Sequence, residues 1–305
     1  MRVTERARTT DLLRNIQDAS ERIGALYNKM ASQQTVSVPS DDPSRTASIM
    51  RISAYLTTLE QTGSSLNQVQ AFLGMAVDTL EVCSDTVVQA KTLATRALSG
   101  TLSASELNAV GNDINELLES LVQYANQSYD GRYLFAGADT DTTPFTATRD
   151  TDGGITAVSY EGAEADKVFP IGRDRRIAGS VTGDAAFVDT GLIQSLISLR
   201  DALTNADGLS PQEQETAIRA QFDTLSTAQA GFLALTGEVA ARGAEVDALI
   251  DQNESLTLRV NETLSKARDV DVAELTVNLQ REQLVYEALL ASSARIMSIS
   301  LLDYI

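Results

Sequence analysis

Histidine and tryptophan are absent from this chain of 305 residues, and cysteine occurs once. Without histidine the protein lacks the commonest general base and the commonest metal ligand. The lone Cys83 excludes an intrachain disulfide and a thiolate metal cluster. Aromatics make up only 5% of the chain. Compact enzymes fill their cores with rings, whereas narrow helical assemblies pack Leu, Ile, Val and Ala along seams. Basic residues are scarce as well, 24 against 42 acidic ones, for a net charge of -18. Nucleic acids and anionic membranes bind basic faces that displace counterions, so this balance argues against both partners. No run approaches the ~18–20 apolar residues that a bilayer span requires. The opening MRVTERARTTDLLRN has no apolar core and no small-residue cleavage site. The expectation is a protein that stays inside or leaves uncleaved. Walker loops, nucleophile elbows and zinc spacings are missing too, which argues against an enzyme built on carboxylates alone. The sequence thus nominates no catalytic residue, no cofactor and no metal ligand.

What the chain does have is apolar periodicity, with 43% apolar residues. Leu12, Ile16, Ala19, Ile23, Leu26 and Met30 follow one another at alternating spacings of 4 and 3. That is a coiled-coil stripe on an amphipathic helix over about residues 10–33. The connector TVSVPSDDPSRT follows, where Pro39 and Pro43 forbid a continuous helix and Asp41 and Asp42 suit turn and cap roles. From about Pro43 to Leu98 the series Leu59, Leu66, Leu73, Leu80, Val87 and Ala94 recurs every seven residues. A parallel series includes Val69, Ala76, Cys83 and Ala90, which makes Cys83 a small seam residue. Sustained heptads predict long helices packed side by side.

Ser99-Gly100 ends that helix, and Ser103, Ser105 and Glu106 predict the N-terminus of another with a capping box. At Gly131 the composition shifts to Thr, Asp, Gly and short strand formers. FTATR (145–149) and ITAVSY (155–160) flank a DTDGG turn, and KVFPI (167–171) predicts an edge strand. Helix returns over 192–204 and again from Pro211, where Ile218, Leu225, Phe232, Val239, Val246, Asn253 and Val260 recur every seven residues. A last helix carries Leu275, Leu279, Tyr286, Leu290, Met297, Leu301 and Tyr304. Asn126, Asn253 and Asn261 match the glycosylation acceptor pattern, but all three fall on predicted helices.

The fold class expected is mainly α with a small β-rich insert, an elongated helical rod or bundle with terminal coiled-coil helices. Residues 1–42 with 268–305 form the terminal coiled-coil domain in this reading. Residues 43–130 with 190–267 form a long-helix bundle, and 131–189 the β-rich insert. Leu12, Ile16, Ile23, Leu26, Met30, Leu275, Leu279, Tyr286, Leu290, Met297 and Leu301 are the candidate assembly seam. Two paired helices cover each other on one side only, while ordering backbone costs about 1–2 kcal/mol per residue. The expectation is that the terminal helices fray in the free monomer and order against neighbouring subunits.

Several segments, in order along the chain, resemble the flagellin superfamily and, within it, the hook–filament junction proteins. They are VPSDDP (38–43), GRYLFAG (131–137), the run from Ile171 to Phe187, and a C-terminus with Tyr286-Glu287-Ala288 and IMSISLLDYI (296–305). Gln33-Gln34 departs from that pattern, where the family commonly has a Gly-Lys type turn. The resemblance implies a structural adaptor at the flagellar hook–filament junction, exported uncleaved through the flagellar type III apparatus. Its partners would be further copies of itself in a ring, hook-associated protein 1, flagellin and an export chaperone on the C-terminal stripe. Flagellin itself is the alternative, disfavoured because DDPSR (41–45) stands where flagellins resemble DDAAG. A coiled-coil signalling arm would need a membrane span or coupling domain, and none is evident.

Overall fold

The computed structural model describes the backbone of residues 2–36, 38–151, 153–171 and 175–302, and side chains from 10 to 295 within those limits. Among the described residues six α-helices carry the chain: α1 (Arg2–Ser32), α2 (Pro43–Ala97), α3 (Ala104–Ala125), α4 (Leu192–Thr204), α5 (Pro211–Arg268) and α6 (Val272–Leu302). Between α3 and α4 lie three antiparallel strand pairs. They are β1 (Ser128–Tyr129) with β2 (Arg132–Tyr133), β3 (Phe145–Arg149) with β4 (Ile155–Tyr160), and β5 (Val168–Pro170) with β6 (Arg176–Ala178). The fold is mainly α with a small β insert, as the periodicity predicts. Contacts divide the chain into two compact units, Met1–Leu59 with Ser255–Ile305, and Glu60–Glu254. Both boundaries fall inside the long helices α2 and α5.

The second unit holds one core. On α2, Leu66, Val69, Leu73, Ala76, Leu80, Cys83, Val87, Ala90 and Ala94 are all buried. The two heptad series therefore interleave at spacings of 3 and 4 and form a single seam. α5 answers with Ile218, Leu225, Phe232, Val239 and Val246, every one buried. Asn253, next in that series, is half-buried, and a Cβ built on Gly63 would come within 2.9 Å of its Nδ2. Glycine at 63 makes room for the amide.

α3 starts with the predicted capping box. Ser103 accepts from the Glu106 N–H, and the Glu106 carboxylate accepts from the Ser103 N–H at 2.7 Å. At the start of α5 the Glu213 carboxylate likewise accepts from the Ser210 hydroxyl at 2.6 Å and from the Ser210 N–H at 3.0 Å. These hydrogen bonds hold both glutamate carboxyls below their ordinary pKa.

The β insert shares this core. Phe187 lies in a one-turn π-helix, Asp184–Val188. Its ring meets Phe135 edge-on at 5.3 Å, Phe145 at 5.5 Å and Phe232 of α5 at 5.6 Å. Arg200 of α4 is almost fully buried and donates to the Ile155 carbonyl at 2.6 Å and to Asn115 Oδ1 at 3.0 Å. That guanidinium ties the β3–β4 hairpin to α3 and α4. Arg242 of α5 reaches the insert through Asp166 at 3.1 Å. Cys83 is fully buried, and desolvation pushes its thiol up to about 12, as suits a seam residue rather than a nucleophile.

Candidate assembly surface

The candidate site is the pair of terminal helices in the first unit. α1 and α6 pack against each other along the stripes read from the sequence. On α1, Ala19 is fully buried, and Leu12, Ile16, Ile23, Leu26 and Met30 are half-buried around it. On α6, Leu275 and Leu279 are buried and Tyr286 is half-buried. Across the seam Arg22 Nε meets Glu282 Oε2 at 3.1 Å, and Gln283 Nε2 donates to the Tyr27 hydroxyl at 3.0 Å.

One expected seam residue lies elsewhere. Leu290 is 44% exposed, while Leu289 is half-buried and Ser293 buried. The 4-3 alternation that starts at Leu275 and Leu279 continues through Glu282, Tyr286, Leu289 and Ser293, which rotates Leu290 off the contact face. Met297, Leu301 and Tyr304 lie outside the residues whose side chains are described, as does much of the 296–305 segment. Gly172 and Arg173, part of the run from Ile171, also fall outside the described residues.

Pairing covers only one side of each helix. Leu13 and Tyr27 on α1, and Val277, Leu284, Val285 and Leu290 on α6, remain exposed, Leu284 at 69%. These residues lie off the continuous stripe, whose periodicity therefore does not pick them out. Their signal was present in the spacing of Val277 and Leu284, seven residues apart, and of Leu13 and Tyr27, fourteen apart. Between the helices runs a groove lined by Arg22, Ala25, Leu26 and Lys29 of α1 and by Arg281 and Glu282 of α6. The described chain of α1 and α6 carries eight basic and seven acidic residues. All of the net negative charge therefore sits elsewhere in the molecule. A near-neutral face with apolar ridges can approach a like face without strong repulsion.

The start of α2 is built as the sequence suggests. Asp42 Oδ1 accepts from the Arg45 N–H at 2.9 Å and from Ser44 Oγ at 2.8 Å, and these bonds hold its carboxyl below the ordinary carboxylate value. Asp41 closes the preceding turn by accepting from the Val38 N–H at 3.4 Å. Both acids serve the backbone rather than a cation. Among the described residues no cluster of three or more His, Cys, Asp or Glu is placed to hold a metal ion. No described helix is long and apolar enough to cross a membrane.

Residues 3–140 match the family model for the bacterial flagellin N-terminal helical region. Flagellar hook-associated protein 3 of Escherichia coli is 24% identical over 254 residues, which is 80% of each chain. A flagellar hook-associated protein from Vibrio parahaemolyticus superposes with a TM-score of 0.65 at 16% identity, over 75% of this chain and all of that one. FlgL from Bacillus cereus superposes with a TM-score of 0.57 at 21% identity, over 70% of this chain and 99% of that one. The flagellar junction protein FlgL from Legionella pneumophila gives 0.58 at 12% identity, over 73% of this chain and 100% of that one. The chain is thus similar to flagellar hook-associated protein 3, shares the fold of these solved structures, and matches the flagellin N-terminal helical region over residues 3–140.

Proposed function

We propose that the protein is a structural adaptor of the bacterial flagellum, placed at the junction between hook and filament. The observation that carries this reading is the terminal helix pair, internally paired yet bearing a second apolar ridge, in a homologue of hook-associated protein 3. Residues 1–42 with 268–305 form the inner coiled-coil domain, 43–130 with 190–267 the long-helix bundle, and 131–189 an insert facing outward. Copies form a ring through the terminal helices, with hook-associated protein 1 on one side and flagellin on the other. The protein reaches this place through the flagellar type III apparatus without cleavage, accompanied by an export chaperone. Imaging tagged protein on isolated hook–filament structures tests the reading, and a single band at the junction is the expected result. Normal filaments in a deletion strain would overturn it.

The match of residues 3–140 to the flagellin N-terminal region favours a second reading, a filament subunit. Copy number separates the two, since a filament subunit labels the filament along its length.

A further inference from the structure

The breaks between terminal and long helices lie side by side. Past the end of α1, the Thr35 N–H donates to the Arg268 carbonyl at 2.8 Å, and the Val270 N–H donates to the Gln33 carbonyl at 3.1 Å. Thr35 Oγ1 adds a bond to the Asp269 carbonyl at 3.0 Å. Gln34 and Asp269 face each other as an antiparallel bridge. The flanking bonds make them a non-hydrogen-bonded pair, a type whose Cα atoms lie about 4.5 Å apart. Gln33 is held at φ 53°, a left-handed conformation uncommon for a residue with a Cβ. The Asp269 carboxylate is engaged at both oxygens, by Arg268 Nε at 2.9 Å and Ser265 Oγ at 2.7 Å.

This join answers a problem that the seam itself leaves open. The α1 stripe is apolar throughout, so after a slip of seven residues, about 10 Å of helix, the α6 face, Glu282 and Ser293 included, still meets apolar α1 residues. Register in such pairs is usually fixed by a polar seam residue or by charge pairs. Here the cross-seam pairs Arg22–Glu282 and Tyr27–Gln283 are solvent-accessible, and such contacts contribute little. The connectors also differ in length. Three residues, 269–271, separate α5 from α6, whereas ten, 33–42, separate α1 from α2. The short one fixes where α6 starts; the long one leaves α1 free to slide.

We propose that residues 33–35 and 268–270 form a register clasp, which fixes the end of α1 against the short α5–α6 connector and so sets α1 in register with α6. Its use rests on the adaptor reading: a second copy that meets both helices needs the exposed Leu13 and Tyr27 of α1 held at one fixed height along α6. Its existence does not, and the test is made on the free full-length chain. With Gln34→Cys and Asp269→Cys, mild oxidation is expected to give an intrachain disulfide, the native Cys83 being buried out of reach. Thr35→Pro removes both Thr35 donors, and amide exchange in α1 and α6 is expected to quicken together by about five- to tenfold. In that background Arg22→Cys with Leu289→Cys, one heptad out of register, is expected to cross-link, while the same pair with Thr35 intact does not. Thr35→Ser keeps both donors and is expected to behave as the parent. Failure of the 34–269 disulfide, or a Thr35→Pro chain with unchanged exchange and no out-of-register cross-link, would overturn the clasp.

Discussion

Asn126 and Phe145 are joined as two strands would be. The Asn126 amide nitrogen donates to the Phe145 carbonyl at 2.9 Å, and its Oδ1 accepts from the Phe145 N–H at 2.9 Å. Asn126 follows directly on α3, so one side chain attaches the start of β3 to the end of that helix. The same bonds occupy the nitrogen that an acceptor for glycosylation would need.

Asn126→Ala leaves both backbone groups of Phe145 without partners beside a buried ring. The expected cost is about 2–3 kcal/mol in urea unfolding of the whole chain, since an orphaned, partly buried donor or acceptor costs about 1–3 kcal/mol. Asn126→Asp, which keeps only the acceptor, should fall between the two.

Arg200→Met tests the other attachment of the hairpin. Ile155 O loses its Arg200 donor, Asn115 Oδ1 keeps only the Ile155 N–H at 3.3 Å, and the Arg200 side chain is the buried partner of Asp201, whose own carboxylate is half in water. A loss of about 2–3 kcal/mol is expected. Hydrogen exchange should rise first in residues 145–160 and leave α2 protected. An unchanged hairpin would show that the aromatic cluster with the Asn126–Phe145 and Arg149–Glu119 attachments suffices to hold it.

The acid limb of stability should trace the helix caps. Asp42, Glu106, Glu213 and Asp269 all titrate below the ordinary values of 3.8 for Asp and 4.5 for Glu. A carboxyl with a depressed folded pKa stabilises above its unfolded pKa, and that contribution is lost as pH falls through the folded one. Thermal melts followed by circular dichroism should therefore be level from pH 7 to about 5 and fall below about 4.5. Replacing Ser103 and Ser210 by alanine should lower the plateau and flatten the fall, because the depressions at Glu106 and Glu213 come from those serines.

Leu284→Glu and Leu279→Ala separate the two sides of α6. Leu284 is exposed, so its replacement should change monomer stability by no more than about 0.5 kcal/mol while reducing incorporation at the junction. Leu279 is buried in the seam, and its truncation should speed exchange in α1 and α6 in the free chain. Equal effects of both on the monomer would contradict two distinct ridges.

Cys83 offers a probe of opening. At pH 8 a thiol raised to about 12 is almost wholly protonated, and no solvent reaches it in the closed core. Reaction with a disulfide reagent should wait for unfolding of the seam around it, with a rate that tracks urea concentration.

Periodicity made the helices legible because their burial is periodic. The Leu66-to-Ala94 seam and the Ile218-to-Val246 series point inward as the spacing alone implies, and FTATR and ITAVSY pair along their lengths. Where the pattern weakened, it misled. After Tyr286 the residues Leu289 and Leu290 are both apolar, so composition cannot choose between them, and only the helical phase set by Leu275 puts Leu289 inward. Arg200 could not be found, because a buried guanidinium is defined by carbonyl partners from distant residues. The 33–35 join with 268–270 left no trace either, since backbone pairing between two short polar connectors depends on their being brought together by the helices on each side.

The exposed ridge on α1 and α6 lies off the face by which they hold each other. A neighbour arriving there would add a new line of contact and displace none that exists, so association would ask no molecule to let go of itself first. Folding and association would then proceed one after the other instead of competing for the same leucines.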